Sequence, residues 1–541
     1  MIAVLLRAVV ILSLCLPMTG IHAAAAPAQP RLVVVMVVDG LPSEQVLRYR
    51  EQFGQGGFRR LLEQGAWFSN AHQAHGVTVT AVGHAAILTG AYPYRHGIIE
   101  NNWIDPASGA KVYCAEDPAH TYLDEHTDAH DGTSPANLRV STLGDELRYA
   151  SGNRSKVVTV SGKDRGAILL AGKSGTAYMY MENSGNFASS SYYMQAYPDW
   201  VRQLRAARAQ DRYAGKRWEL LLPESAYSGD STLPKKTMPL SFGSAGAKPD
   251  AAYYKALKGS PFLDEMTLDF AKAAVVGEQL GRNPAGVTDL LGVSLSAHDL
   301  INHEFGPESR MSHDHLQRLD RMLASFFGFL DQRVGLDNVL IVMTADHGFP
   351  NVPEYAKARG FDAGRLDSEK MLAALEQHLG SKFGIEKLVK KSSTPNIYLD
   401  YAAAERRNIR REEVENAAAR FLLGYDGIAD VFTRTQLENG IGGTRTAVLM
   451  RRAWNRQLSG DLVTVPKPFW IYSSGGTGTS HGTPYAYDTS VPLMIMGKPW
   501  VRPGAYGQYA EVVDLAPTLA HLLRLRPPAA AEGRVLVETL R

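Results

Sequence analysis

The 541-residue chain carries 57 lysines and arginines against 55 aspartates and glutamates, with no basic block or acidic tail, which argues against a dedicated nucleic-acid partner. Its two cysteines are Cys15, in an apolar leader, and Cys114, so an intramolecular disulfide is excluded once the leader is gone and stability has to come from a core. About 515 residues remain after the leader, ample for three domains or for one large core with insertions.

In chain order, the leader MIAVLLRAVVILSLCLPMTGIHAAAA has one positive charge at Arg7, a short apolar run and small residues suited to signal peptidase. Residues 1–26 are therefore expected to be a signal peptide, and the mature chain to be periplasmic or secreted. No later stretch approaches the roughly 20 apolar residues of a membrane span, so no anchor is expected. Leu14 stands where lipid attachment to Cys15 would want a small residue, which weighs against a lipoprotein. Three continuous apolar runs come next, Leu32–Val38 (LVVVMVV), 290–295 (LLGVSL) and 339–343 (VLIVM). Runs without alternation predict strands buried on both faces of a mostly parallel sheet. Helical patterns lie between and after them, over 313–334 with Ser312 as N-cap and in VVDLAPTLAHLLRL near the end, so the class is α/β. Two regions break the alternation, about 172–285 and about 351–475, and are expected to form cap insertions in one domain spanning 27–541.

Each apolar run ends near a side chain able to bind a metal: Asp39 after the first, Asp299 after the second, Asp346 with His347 after the third. Ligands bind beyond the carboxyl ends of strands in open α/β sheets, so these groups can converge. Any one aspartate after a strand more often starts a turn or caps a helix, but the three together resist that account. Asp299 and His303, four apart, share a helix face, or equally form a solvated pair. His481 lies in the glycine-rich GGTGTSHGTPY, where backbone can approach a ligand closely. Carboxylate and imidazole without thiolate suit zinc, and also manganese or iron. Thr80 opens TAVGHAAILTG, a helix start that attracts phosphate, although an N-cap role alone would explain a threonine there. Its hydroxyl becomes a useful nucleophile only beside a metal. Lys163 and Arg165 in SGKDRGAILL are either a solvated face or cations for a phosphoryl dianion. Two apparent motifs fail: ILLAGKSG lacks the first glycine of a phosphate loop, Ala167 standing there, and DEHTDAHD (124–131) reads as a solvated loop.

In this order the residues resemble the alkaline-phosphatase superfamily, specifically its threonine-nucleophile bacterial branch, related to nucleotide pyrophosphatase/phosphodiesterases. The resemblance runs from about residue 31 to the C-terminus. It implies a three-layer sandwich with helices on both faces of a mostly parallel sheet. It further implies a phosphothreonine intermediate on Thr80, Asn101 as a phosphate ligand, and two zinc ions or other divalent metals. One metal would take Asp299, His303 and His481, and the other Asp39, Asp346, His347 and the Thr80 oxygen. Monoesterases of the branch carry a Lys-x-Arg pair, supplied at Lys163 and Arg165, and this favours broad hydrolysis of small phosphate monoesters by a monomer, as in phosphate scavenging. A phosphodiesterase or nucleotide pyrophosphatase is the alternative. A binding protein without turnover is disfavoured, because the nucleophile and the clamp residues are all present.

Overall fold

The computed structural model describes residues 28–227, 238–244, 246, 248–440 and 442–541; the expected signal peptide lies outside the described residues. Its centre is a nine-stranded sheet, labelled here in chain order: β1 (Leu32–Val38), β2 (Ala66–Phe68), β3 (Val157–Ser161), β4 (Thr176–Tyr180), β5 (Phe187–Ala188), β6 (Asp289–Leu295), β7 (Val339–Thr344), β8 (Leu493–Met496) and β9 (Gly504–Tyr506). The spatial order is β9-β2-β8-β7-β1-β6-β3-β4-β5. The five central strands β7, β1, β6, β3 and β4 run parallel, while β8 and β5 join antiparallel at either side.

Every residue of β1, β6 and β7 is buried. That is the physical reason for unbroken apolar runs: helices cover both faces, so neither side of the pleat meets water. Each large aliphatic side chain so buried contributes on the order of 1.5–3 kcal/mol. The register then decides the site. Val38 pairs with Leu295, Val37 with Thr344 and Ser161 with Ser294, so four parallel strands end almost flush. The segments leaving their carboxyl ends therefore meet at one edge.

The helix over residues 313–334 begins earlier than expected. It spans Arg310–Arg333, and Ser309 rather than Ser312 is the cap, its hydroxyl accepting the Ser312 N–H. Ser312 is buried inside the first turn and receives a bond from Gln45.

The region 172–285 is not wholly an insertion over the sheet, because it supplies β4 and β5 to that sheet. Its helix Pro261–Gly277 presents Leu263, Phe270, Ala274 and other apolar residues to the main core. The region 351–475 does build a separate layer. Four antiparallel strands, in the order Val389–Ser393, Asn396–Leu399, Leu462–Pro466 and Ile428–Thr433, pack with helices Ser368–Phe383 and Arg411–Leu423 around their own core of Leu375, Leu379, Val414 and Leu422. Among the described residues no helix is long and apolar enough to cross a membrane.

Candidate active site

Asp39 directly follows β1, and its N–H donates to the Leu295 carbonyl at 3.0 Å, which ties the end of β1 to β6. Beyond β6 the chain turns into helix Ala297–Phe305, where Asp299 and His303 share a face as their spacing requires. Beyond β7 come Asp346 and His347, both fully buried. Thr80 is the first residue of helix Thr80–Thr89, entered from extended Val79 and ended by left-handed Gly90. Its hydroxyl does not cap that helix. Gly83 explains how the helix reaches the ligands: a Cβ there would lie 2.1 Å from the Asp346 carbonyl oxygen, so only glycine permits this approach.

The expected ligands converge. The Nε2 atoms of His303, His347 and His481 lie 3.4, 3.7 and 3.5 Å from Asp299 Oδ1. His347 Nε2 is also 3.5 Å from Asp39 Oδ1 and from Asp346 Oδ2. Two groups have ligand atoms close enough to share an ion: Asp299 with His303 and His481, and Asp39 with Asp299 and His347. Asp346 Oδ2 also faces His347 Nε2, 3.5 Å away, so Asp346 adjoins the second group. Its other oxygen, Oδ1, accepts the N–H groups of Gly40 and His347, which fixes the direction of Oδ2.

Three imidazoles are prepared as Nε2 ligands. Nδ1 of His303 donates to Thr479 O at 2.9 Å, that of His347 to Gly348 O at 3.0 Å and that of His481 to Thr78 O at 2.7 Å. Each bond fixes the tautomer that leaves the Nε2 lone pair free, the usual outer-shell device of metal sites. Burial holds the His303 and His347 rings down to about 4 and about 3, so both are neutral near pH 7. Asp39 Oδ1, Asp299 Oδ1, Asp346 Oδ2 and His347 Nε2 are buried and accept or donate no hydrogen bond among the described residues. Orphaned buried acceptors at one point are costly unless a cation meets them. Oxygen and nitrogen donors without sulfur fit zinc or another divalent ion.

Lys163 enters this cluster from beyond β3. Its Nζ lies 2.8 Å from Asp39 Oδ2, 2.5 Å from Asp299 Oδ2 and 3.5 Å from Thr80 Oγ1. Burial pushes Asp299 up, but Lys163 and the imidazoles outweigh it and keep that carboxylate charged. Burial and then Asp346 raise Asp39 instead. Arg165 is reached by Tyr113, whose hydroxyl lies 3.3 Å from Arg165 Nη1 and donates to Asp164 at 2.5 Å. A cavity of about 310 Å³ opens beside Lys163 and Arg165, with Tyr113, Tyr122 and Tyr180 in its wall. Asn101 Oδ1 accepts the Ala81 N–H at 2.9 Å. The helix-start N–H of Ala81, which could have met phosphate, is thus taken by Asn101, and it is the Asn101 amide nitrogen that remains for a ligand.

Sequence reasoning missed three supports. His84, four residues after Thr80, donates from Nδ1 to Thr80 O at 2.8 Å and stands 3.1 Å from Asp346 Oδ2; its helical spacing from Thr80 was a readable signal. Phe349 packs its ring against His303 and His481, with centroids 4.9 Å away in each case. Arg365 grips Glu354 with two bonds and donates to Gly478 O at 2.7 Å, bracing the glycine-rich loop that orients His303. No sequence pattern marks Arg365. In the DEHTDAHD stretch His126 pairs with Asp128 in solvent, and among the described residues no metal-binding group forms there. Cys114 is a buried free thiol.

Flush parallel strands, acidic and imidazole ligands beyond their ends and a threonine hydroxyl beside them define a phosphate-ester hydrolase of the alkaline-phosphatase fold. The chain matches the type I phosphodiesterase / nucleotide pyrophosphatase family over residues 33–486 and belongs to it. It is 34% identical to alkaline phosphatase PhoV of Synechococcus elongatus, over 95% of this chain and 94% of that one. It is 33% identical to a Myroides odoratus protein named calcium-transporting ATPase, over 95% of each. A crystal structure of wild-type alkaline phosphatase PafA superposes with a TM-score of 0.88 at 30% identity, covering 95% of this chain and all of that one.

Proposed function

We propose that the chain is a metal-dependent alkaline phosphatase that hydrolyses small phosphate monoesters, with broad specificity suited to phosphate scavenging, through a phosphothreonine at Thr80. The observation that carries the reading is the cluster of buried carboxylate and imidazole atoms, short of partners, within reach of Thr80. Asp299, His303 and His481 would hold one ion, and Asp39, Asp346 and His347 with the Thr80 oxygen the other. Bound there, two divalent cations, zinc by the donor set, would lower the hydroxyl pKa and neutralise phosphoryl charge.

The chain's own groups do the rest. The Thr80 hydroxyl gives up its proton and Oγ attacks phosphorus; the bond from phosphorus to the ester oxygen breaks, and the departing oxygen keeps that electron pair and takes up a proton. Water then attacks the phosphothreonine, releasing phosphate and restoring the hydroxyl. Lys163, Arg165 and the Asn101 amide nitrogen donate to the non-bridging oxygens, since phosphoryl transfer is helped chiefly by positioning and charge. Thr80 opens the helix Thr80–Thr89, and the dipole at that N-terminus would favour the same anion. Residues 1–26 would direct export of a monomer that is periplasmic or secreted, and the layer built from 351–475, with the part of 172–285 outside the sheet, would form the cap.

A phosphodiesterase is the second reading, favoured by the description of the matched family. Lys163 and Arg165 favour the monoesterase, because a second esterified oxygen leaves less charge for two cations to meet. The test is turnover of an aryl phosphate against a bis-aryl phosphate by zinc-reconstituted protein. Preference for the monoester is expected, and preference for the diester would overturn the assignment.

A further inference from the structure

His347 and His481 stack with ring centroids 3.4 Å apart. They arrive on distant segments, and one residue outside the ligand set is bonded beside both. Asp488, fully buried, sits in the short helix Ala486–Thr489 beyond the glycine-rich loop. Its main-chain carbonyl accepts the Gly348 N–H at 2.7 Å, and Gly348 O in turn takes the His347 Nδ1 hydrogen. A Cβ on residue 348 would lie 2.2 Å from the Tyr487 carbonyl oxygen, so glycine is what lets these two backbones meet.

The side chain of Asp488 serves the other ring. Its Oδ2 accepts three hydrogen bonds, from Gly482 N at 3.1 Å, Thr483 N at 2.8 Å and Thr483 Oγ1 at 2.6 Å. The two consecutive N–H groups converge on that oxygen around Gly482, whose φ of +122° lies in the region that favours glycine. Thr78 closes the circuit. Its hydroxyl donates to Thr483 O at 2.8 Å, and its carbonyl accepts from His481 Nδ1 at 2.7 Å. His481 is thus held at its own ring by Thr78, and through the two residues after it by Asp488. Without Asp488 Oδ2 three donors lose their partner, and a loop with unpaired donors rearranges toward water or other acceptors.

We infer that Asp488 is a positioning residue for His481: its side chain fixes the loop that aims the imidazole at the ion shared with Asp299 and His303. His347 is braced through the Asp488 main chain instead, which no side-chain substitution at 488 removes. The role rests on the metal assignment proposed above. Oδ1 of Asp488 is buried with no hydrogen-bond partner among the described residues, so asparagine can keep all three bonds through its oxygen, with the amide nitrogen in the place of Oδ1.

Zinc competition against a chromogenic chelator, on the full chain, tests this. The native chain should bind two equivalents, and His481→Ala identifies the one that depends on His481. Asp488→Ala should weaken that same equivalent by about 10- to 100-fold, the range for outer-shell partners, and leave the other unchanged. Asp488→Asn should recover most of the loss. Thr483→Val removes one of the three donors while keeping the side chain's shape; it should act in the same direction by less, and it carries the test if Asp488→Ala does not fold. Unchanged zinc affinity, equal weakening of both equivalents, or an asparagine variant as weak as the alanine one would each overturn the positioning role. A native chain that binds no zinc would instead sink the metal assignment, and the positioning role with it.

Discussion

Lys163→Ala separates the two tasks that the geometry gives this side chain. The ammonium lies 2.8 Å from Asp39 Oδ2 and 2.5 Å from Asp299 Oδ2, with only 5% of the side chain exposed. At an effective dielectric of about 20, a unit charge pair at such separations attracts by about 6 kcal/mol. Desolvation of the partners offsets part of this, and truncating one member of a buried pair typically costs about 3–5 kcal/mol. Chelator-treated Lys163→Ala should therefore unfold at a clearly lower guanidinium concentration than the chelator-treated native chain. Saturating zinc should remove most of that difference, because cations would neutralise the same two carboxylates. Catalysis should not recover with it. Turnover of an aryl phosphate should fall by about 10²–10³, the size of one lost transition-state contact, and turnover of a bis-aryl phosphate by much less. Equal losses on the two esters would refute the role as a phosphate clamp, and equal stability of the two chelated proteins would refute the electrostatic account of the cluster.

Arg165→Ala should lose about 2–4 kcal/mol of transition-state stabilisation on the monoester, and Tyr113→Phe, which removes the hydroxyl beside Arg165, should move the monoester-to-diester ratio in the same direction by less; an unchanged ratio in steady-state assays would count against both. Thr80→Ala should abolish the phosphoryl adduct seen by intact-mass spectrometry after acid quench, whereas Thr80→Ser should retain it, and an adduct persisting in the alanine variant would place the nucleophile elsewhere. Burial pushes the Glu308 carboxyl up to about 7. Raised in the fold, it ionises first in the unfolded chain, so its contribution is present at low pH and lost as pH rises from about 4.3 to about 7. Glu308→Gln should therefore gain stability relative to the native chain across that window, read as guanidinium midpoints, and a pH-independent difference would contradict it.

What the sequence determined by itself is what repeats locally or is confined to one strand. Unbroken apolar runs announced β1, β6 and β7 because strands covered on both faces have no polar positions to show. Asp39, Asp299 and Asp346 were legible as the first carboxylates past those runs, with His347 beside the last, and Thr80, Asn101, Lys163, Arg165, His303 and His481 through the motifs around them. What tertiary structure decided depends on register and on contacts between distant segments. Val38 level with Leu295 and Val37 level with Thr344 bring the carboxylates together, and no single segment records that alignment. The 172–285 stretch looked irregular although it supplies two sheet strands, because short strands at a sheet's end carry too few residues to set a period. Arg365 bracing Gly478 and Thr78 bonded to Thr483 join residues up to 405 positions apart. Their hydrogen bonds exist only once packing has excluded water and left each group a single partner, so they belong to the fold rather than to any motif.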